Sequence, residues 1–192
     1  MAPVAPSAIP DQPRLPTVIV LASGRGERFL AAGGTQHKLQ ADLCGRTVLQ
    51  RTLDAVAASG LPWHLENQGL AGMGDSIGAA VRTTRGAAGW LILPADLPLI
   101  LPQTLQLLAR IHPEARVLVP RVGAQRGHPV RFSATLGDAL AACSGPQGAA
   151  ALTKGPQAIE CAVEDEGCVL DIDTPIQLEA AHALWRQRQA QA

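Results

Sequence analysis

Apolar residues run almost unbroken through Thr17-Val18-Ile19-Val20-Leu21-Ala22 and again through Trp90-Leu91-Ile92-Leu93. Such runs are too continuous for strands wetted on one face and predict central parallel strands covered on both. The first gives way at Ser23-Gly24-Arg25-Gly26. The second stops at Pro94-Ala95-Asp96-Leu97-Pro98, where two prolines end the ladder and leave an acidic residue just past the strand's carboxyl end. Helical spacing follows between them. Leu49, Leu53 and Val56 predict a helix capped by Thr47 and stopped at Gly60, and Ile77, Ala80 and Val81 predict another capped by Asp75 or Ser76. Leu61 to Glu66 fits a short strand, Pro102 to Ile111 a helix, and Arg116 to Val119 a strand. Ser133 to Cys143 reads as a helix capped by Ser133, and Ala158 to Val163 and Cys168 to Ile172 as strands. The last helix starts at Thr174-Pro175, with Gln177 completing a capping box and Ile176, Ala180 and Leu184 as its buried stripe. This alternation predicts an α/β layered sheet with right-handed crossovers. Ligands of such sheets bind outside the strands' carboxyl ends, so the loops after Ala22, Leu93 and Ile172 should converge on one crevice.

Composition narrows the function classes. Sixteen Lys+Arg balance sixteen Asp+Glu in 192 residues, which leaves no electrostatic footprint for nucleic acid. No apolar run approaches a membrane span, because Pro94, Asp96 and Pro98 break the longest, Trp90 to Leu101. Residues 1–16, rich in Pro and Ala, lack the apolar segment of a secretory signal and are expected to form a disordered tail ahead of one domain at 17–188. Cys44, Cys143, Cys161 and Cys168 show neither Cys-x-x-Cys nor zinc spacing, so buried reduced thiols and a cytoplasmic location are expected.

The chemistry-bearing residues cluster at the predicted crevice. Gly24-x-Gly26 sits where backbone N–H groups can hold phosphate oxygens, although it is neither a Walker loop nor a dinucleotide fingerprint, and a plain tight turn fits it too. Arg25, Arg28 and Lys38 can neutralise a triphosphate; solvated surface cations are the other reading, and Lys38 is one of only two lysines. Asp96 needs a cation if it is buried, and Asp171 and Asp173 precede a helix, where they either cap it or join Asp96 on Mg²⁺. Arg126-Gly127-His128-Pro129 is a polar turn entering a strand, with His128 either structural or a ligand contact. Gly72-Met73-Gly74-x-Ser76 permits close backbone approach. No nucleophile elbow or activated cysteine occurs.

Taken together these motifs resemble the nucleotidyltransferases that attach a nucleotide to the molybdenum cofactor, in particular their cytidylyltransferase branch. The resemblance spans Thr17 to Leu184. It rests on Leu21-Ala22-Ser23-Gly24-x-Gly26-x-Arg28-Phe29 with Lys38, on Pro94-Ala95-Asp96-Leu97-Pro98, on Arg126-Gly127-His128-Pro129-Val130, and on Leu170-Asp171-Ile172-Asp173-Thr174-Pro175. It implies a single-domain, Rossmann-like nucleotide-diphospho-sugar transferase fold with a mostly parallel sheet and helices on both faces. It also implies Mg²⁺-dependent transfer from an NTP, CTP ahead of GTP, to the phosphate of molybdopterin, with release of pyrophosphate.

By the same resemblance, Arg28, Lys38 and Asp96 are catalytic, and Asp96 with Asp171 or Asp173 holds metal. Leu21, Ala22, Ser23, Gly24, Arg25, Gly26, Asn67, Gly72, Ser76 and Ala95 bind nucleotide. Arg126, Gly127, His128 and Pro129 face the acceptor, and a molybdoenzyme or its maturation chaperone is a further partner. Three departures stand out. A β-α unit is missing where only Leu61 to Glu66 separates Gly60 from Asn67; the loop between Arg28 and Lys38 is longer than in relatives; and Gly145 to Ala150 lacks an Asp and an Arg that relatives carry. The missing unit keeps open a non-catalytic nucleotide- or cofactor-binding protein, and a sugar or alcohol phosphate is an alternative acceptor.

Overall fold

A computed structural model describes residues 14–191. In chain order it contains β1 (Thr17–Leu21), α1 (Glu27–Ala31), β2 (Asp42–Leu43), β3 (Arg46–Thr47), α2 (Val48–Ala58), β4 (Trp63–Glu66), α3 (Met73–Thr83), β5 (Gly89–Pro94) and α4 (Pro102–Arg110). There follow β6 (Val117–Val122), β7 (Gln125–Arg126), β8 (Val130–Ser133), α5 (Gly137–Ala141), β9 (Ala158–Ala162) and α6 (Pro175–Gln191), with 3₁₀ turns at Lys38–Gln40, Ala134–Leu136 and Glu166–Cys168. None of the described helices is long and apolar enough to cross a membrane.

The continuous apolar strands are covered on both faces, as their pattern predicts. Val18, Val20, Leu91, Leu93 and Leu118 turn to one layer, built from α2, α4 and α6 with Phe29 and Leu39. Their sequence neighbours Ile19, Trp90, Ile92, Val117 and Val119 turn to the other, built from α3 and α5. Period-two alternation thus serves two cores at once. Trp90, 2% exposed, satisfies its indole N–H on Thr84 Oγ1 at 2.9 Å, which lets so large a ring be buried without an orphaned donor.

The sheet order is β4-β1-β5-β8-β6, with β7 and β9 also paired to β6. β1 runs parallel to β4 and β5, and β9 parallel to β6, whereas β8 is antiparallel to both β5 and β6. Register places Leu21 beside both Glu66 and Pro94, so three strands end level. Because β8 runs the other way, with Val130 beside Ile92, its entry lies at that same end. A single strand, β4, lies beyond β1, as the short Leu61–Glu66 segment requires.

Several local expectations are corrected. Cys168 to Ile172 is not a strand: Asp165 accepts from Gly167 N at 2.9 Å and Leu101 N at 2.8 Å, closing a 3₁₀ turn, and the chain then bonds to loops, His128 N to Cys168 O at 2.8 Å and Ile172 N to Asp96 O at 3.0 Å. Ser133 ends β8 and stands at the N-cap position of the Ala134–Leu136 3₁₀ turn that leads into α5, but its hydroxyl pairs with Thr135 Oγ1 at 2.6 Å and makes no cap bond. Gly72, not Asp75 or Ser76, is the N-cap of α3; Asp75 instead accepts from Gly145 N at 3.2 Å. Thr47 does cap α2, with Gln50 completing a capping box. On α6 the inward side is Leu178, Ala181, Leu184 and Trp185, while Ile176 is 82% exposed and Ala180 is exposed too. Cys161 and Cys168 are buried thiols, but Cys44 and Cys143 are only half-buried. Of the expected tail, residues 1–13 lie outside the described residues; Leu15 already packs on the core and Pro16 is buried.

Gly167 carries the 3₁₀ turn against the backbone after β5, where a Cβ would sit 2.2 Å from Leu99 O and 2.4 Å from its carbonyl carbon. Gly167→Ala is therefore expected to cost about 2–3 kcal/mol, and thermal unfolding should show a Tm lower by about 4–12 °C.

Candidate active site

The level strand ends and the entry to β8 surround one cleft of about 750 Å³. Its floor begins with the loop after β1. Gly26 adopts φ +66°, a left-handed conformation that glycine tolerates, and serves as the N-cap of α1 without any side-chain cap, so the loop's backbone turns sharply under Ser23, Gly24 and Arg25. His37 reaches this loop: its Nε2 lies 2.8 Å from Gly24 O while its Nδ1 accepts from Leu39 N at 3.2 Å.

Across the loop stands a charge network. Lys38 Nζ lies 2.6 Å from Asp96 Oδ2 and 2.6 Å from Asp173 Oδ1, and Arg28 Nη1 lies 2.9 Å from Asp173 Oδ2. The Lys38 side chain is 12% exposed; burial by itself disfavours its charge, but the two carboxylates outweigh burial and hold its pKa above the usual lysine value. For Asp173, partial burial is likewise outweighed, and Lys38 with Arg28 holds its carboxyl below the ordinary range. Asp171 is exposed and on the cleft wall without a cation of its own; desolvation, then repulsion from Asp173 and Asp96, pushes its carboxyl up. The Arg28 side chain is 83% exposed, so its ion pair is screened by water and adds little stability.

Among the described residues no group of three or more His, Cys, Asp or Glu is arranged to hold a metal ion. A smaller donor set fits one. Asp96 Oδ1 is buried without a hydrogen-bond partner, and an anionic oxygen left in that state is stabilised by a further cation. Asp96 and Asp173, joined through Lys38, offer two carboxylates of the kind that hold a divalent cation.

The opposite walls come from Gly72, Met73 and Ser76 at the start of α3 and from Arg126, Gly127 and His128 ahead of β8. Gly127 is required there, since a Cβ would lie 2.4 Å from Cys168 O. Burial lowers the pKa of His128, so its imidazole is neutral at pH 7, and its Nδ1 is buried without a partner. Arg126 is held from outside by Thr153 O at 2.8 Å and Glu160 at 3.3 Å. Ser76 Oγ is also buried and unpartnered on the cleft wall.

Thus Leu21, Ser23, Gly24, Arg25, Gly26, Arg28, Lys38, Gly72, Ser76, Asp96, Arg126, Gly127, His128, Asp171 and Asp173 line one cleft. Ala22, Asn67, Ala95 and Pro129 do not. Ala22 packs on the core, and Ala95, 2% exposed, donates its N–H to Leu21 O at 3.0 Å while its carbonyl accepts from Thr52 Oγ1 at 2.8 Å. Pro129 is buried and Asn67 points to solvent. Leu70, Ala71, Gln125 and Val169 line the cleft without having been singled out. Their only sequence signal is adjacency to glycine or charged motifs. His37, which bonds to the loop at Gly24 without lining the cleft, is signalled only by preceding Lys38.

A family model described as MobA-like NTP transferase domain matches residues 18–162. No curated protein matches the chain. Among solved structures, a manganese complex of Rv0371c from Mycobacterium tuberculosis H37Rv is 26% identical, covering 87% of this chain and 97% of its own, with a TM-score of 0.67. A nucleotidyl transferase from Methanothermobacter is 19% identical over 90% and 98% of the two chains at a TM-score of 0.70. The molybdopterin-guanine dinucleotide biosynthesis protein A of Archaeoglobus fulgidus is 17% identical over 89% and 99% at a TM-score of 0.61, a likeness of fold.

The charge network sets a pH signature. The stability contributed by Asp173 is fully present above its ordinary value of 3.8 and is lost as the pH falls through its depressed value; that of Lys38 is present below 10.5 and is lost as the pH rises through its raised value. Lys38→Met leaves the Asp173 carboxylate without its ammonium partner, so it is expected to cost about 1–2 kcal/mol at pH 7, or about 2–8 °C in Tm, and less near pH 3, as the pH falls toward the depressed value of Asp173. Thermal melts at the two pH values check this.

Proposed function

The chain belongs to the MobA-like NTP transferase family, and on that premise we propose that it transfers a nucleotidyl group from CTP to the phosphate of molybdopterin, with pyrophosphate as the second product. The observation that carries the reading is the Lys38 ammonium between Asp96 and Asp173, facing the Gly24–Gly26 loop across a cleft whose far wall holds Arg126 and His128. The acceptor phosphate oxygen forms a bond to the α-phosphorus as the bond to the bridging β-phosphate oxygen breaks, and no covalent enzyme intermediate is needed. Loop N–H groups and Arg25 hold the leaving phosphates. Lys38 and Arg28 offset charge that grows on the α-phosphoryl oxygens, and Arg126 orients the acceptor's phosphate against them. Neutral His128 offers the pterin a hydrogen bond. Asp96 and Asp173 would hold a divalent cation, Mg²⁺ in this reading, which when bound would supply Lewis-acid stabilisation of the same developing charge. Rv0371c, 26% identical, has been crystallised with manganese, which supports a divalent cation in this role. Preference for CTP over GTP rests on the overall likeness of the motifs to the cytidylyltransferase branch.

Pyrophosphate release with each of the four NTPs, with and without molybdenum-loaded pterin, tests the reading. Acceptor-dependent release with CTP is expected, and Asp96→Asn should reduce it by roughly 10²–10³-fold in a protein that stays folded. Release that favours GTP would reassign the base. Silence with every NTP and acceptor would overturn the proposal.

A further inference from the structure

We infer that His37 is a positioning residue for nucleotide binding: its imidazole is a strut that holds the Gly24–Gly26 loop at a set distance from Lys38. The inference rests on reading that loop as the phosphate-binding segment. Its geometry is independent of any ligand.

The tautomer of His37 follows from its neighbours. Leu39 N–H, 3.2 Å from Nδ1, can only donate, so Nδ1 carries a lone pair. The neutral ring's proton is then on Nε2, which lies 2.8 Å from Gly24 O, a group that can only accept. The Cδ2–Nε2 side of the ring also lies beside Gly26, where a Cβ would be 3.2 Å from Cδ2 and 3.3 Å from Nε2. The imidazole therefore spans from the turn carrying Lys38 to both glycines of the loop.

Among the described residues, Ser23 Oγ donates to Glu66 O at 3.5 Å where the loop begins and Leu30 N–H donates to Gly26 O at 3.2 Å where it ends, but the peptide at Gly24 has only His37. The Cβ position of Gly24 meets nothing within 4 Å, so side-chain packing does not fix it. Gly26 begins α1 with no side-chain cap, and the Arg25–Glu27 pair, at 3.6 Å and with side chains 77% and 75% exposed, is too wet to hold a backbone. The chain between Arg28 and Lys38 is long, and His37 closes it by returning to Gly24. Capping the Lys38–Gln40 turn does not require this: a short acceptor at position 37 would serve. The bond to Gly24 is what distinguishes a strut from a cap.

Two substitutions in the full chain separate these roles. Asn at 37 keeps an acceptor for Leu39 N–H but is too short to reach Gly24 O, whereas Gln has the length to donate there. His37→Asn is expected to speed amide exchange in residues 23–27 and to raise KM for the NTP about five- to tenfold, the worth of one hydrogen bond, with kcat changed by less than about threefold. His37→Gln should restore KM to within about twofold. The inference is overturned if His37→Asn leaves loop exchange and KM unchanged, if exchange rises without any change in KM, or if Gln is as impaired as Asn. Should wild-type protein turn over no NTP, loop exchange still reports on the strut while the transferase reading fails separately.

Discussion

One ammonium group lies within hydrogen-bond distance of carboxylates from two stretches of chain that are far apart in sequence, and much of the fold is what makes that meeting possible. Asp96 is delivered by β5, Asp173 by the segment that leads into α6, and Lys38 by a loop from β1. Three carboxylates share this cleft, and desolvation, then repulsion from Asp173 and Asp96, raises the pKa of Asp171, the member without a cation. Lys38 answers the other two. The cost of taking these charges partly out of water is met by short, direct pairing rather than by exposure.

Scaffold and site are coupled through backbone hydrogen bonds rather than through the ion pairs alone. Ala95 N–H to Leu21 O locks the ends of β1 and β5 together, and Ile172 N–H to Asp96 O docks the late segment onto the same point. Asp165, buried at 5% exposure, gathers Leu101 N, Gly167 N and Arg188 around the far side of that segment. The cleft is thereby held in part by residues that do not line it, Ala95, Ile172 and Asp165, which is how a site can carry exposed, solvated cations such as Arg28 and still keep its shape.

Most of this architecture was legible in the sequence, because the strongest signals were buried strands and proline or glycine stops. The runs at Val18 to Leu21 and Trp90 to Leu93 have one physical solution, a strand covered twice, and the motif aspartates and Lys38 met where those strands end. The failures share a cause. Cys168 to Ile172 has an apolar pattern that fits a strand, yet its backbone partners are loops, and no local pattern encodes a partner 76 residues away in the chain, as Asp96 is from Ile172. Ser133 and Asp75 are good caps by type, but the hydroxyl of Thr135, two residues on, took the first and a distant backbone N–H, that of Gly145, took the second. Ala95 carried the motif's name without its exposure. His37 was invisible because histidine before lysine has no pattern, only a geometry.

The antiparallel course of β8 has a consequence for how this cleft can change over time. The half bordered by β1, β4 and β5 is served by strand-to-helix connections, so any alteration there must be accommodated by the packing of a whole helix on the sheet. The half bordered by β7 and β8 is served by short chain reversals at the rim, Gly123 at one and Gly127 at the next, with no helix to reposition. The reversal at Gly123, exposed from Gly123 to Arg126, can lengthen without disturbing either core, whereas Gly127 stays fixed against Cys168 O. The molecule therefore pairs a conservative wall with an evolvable one.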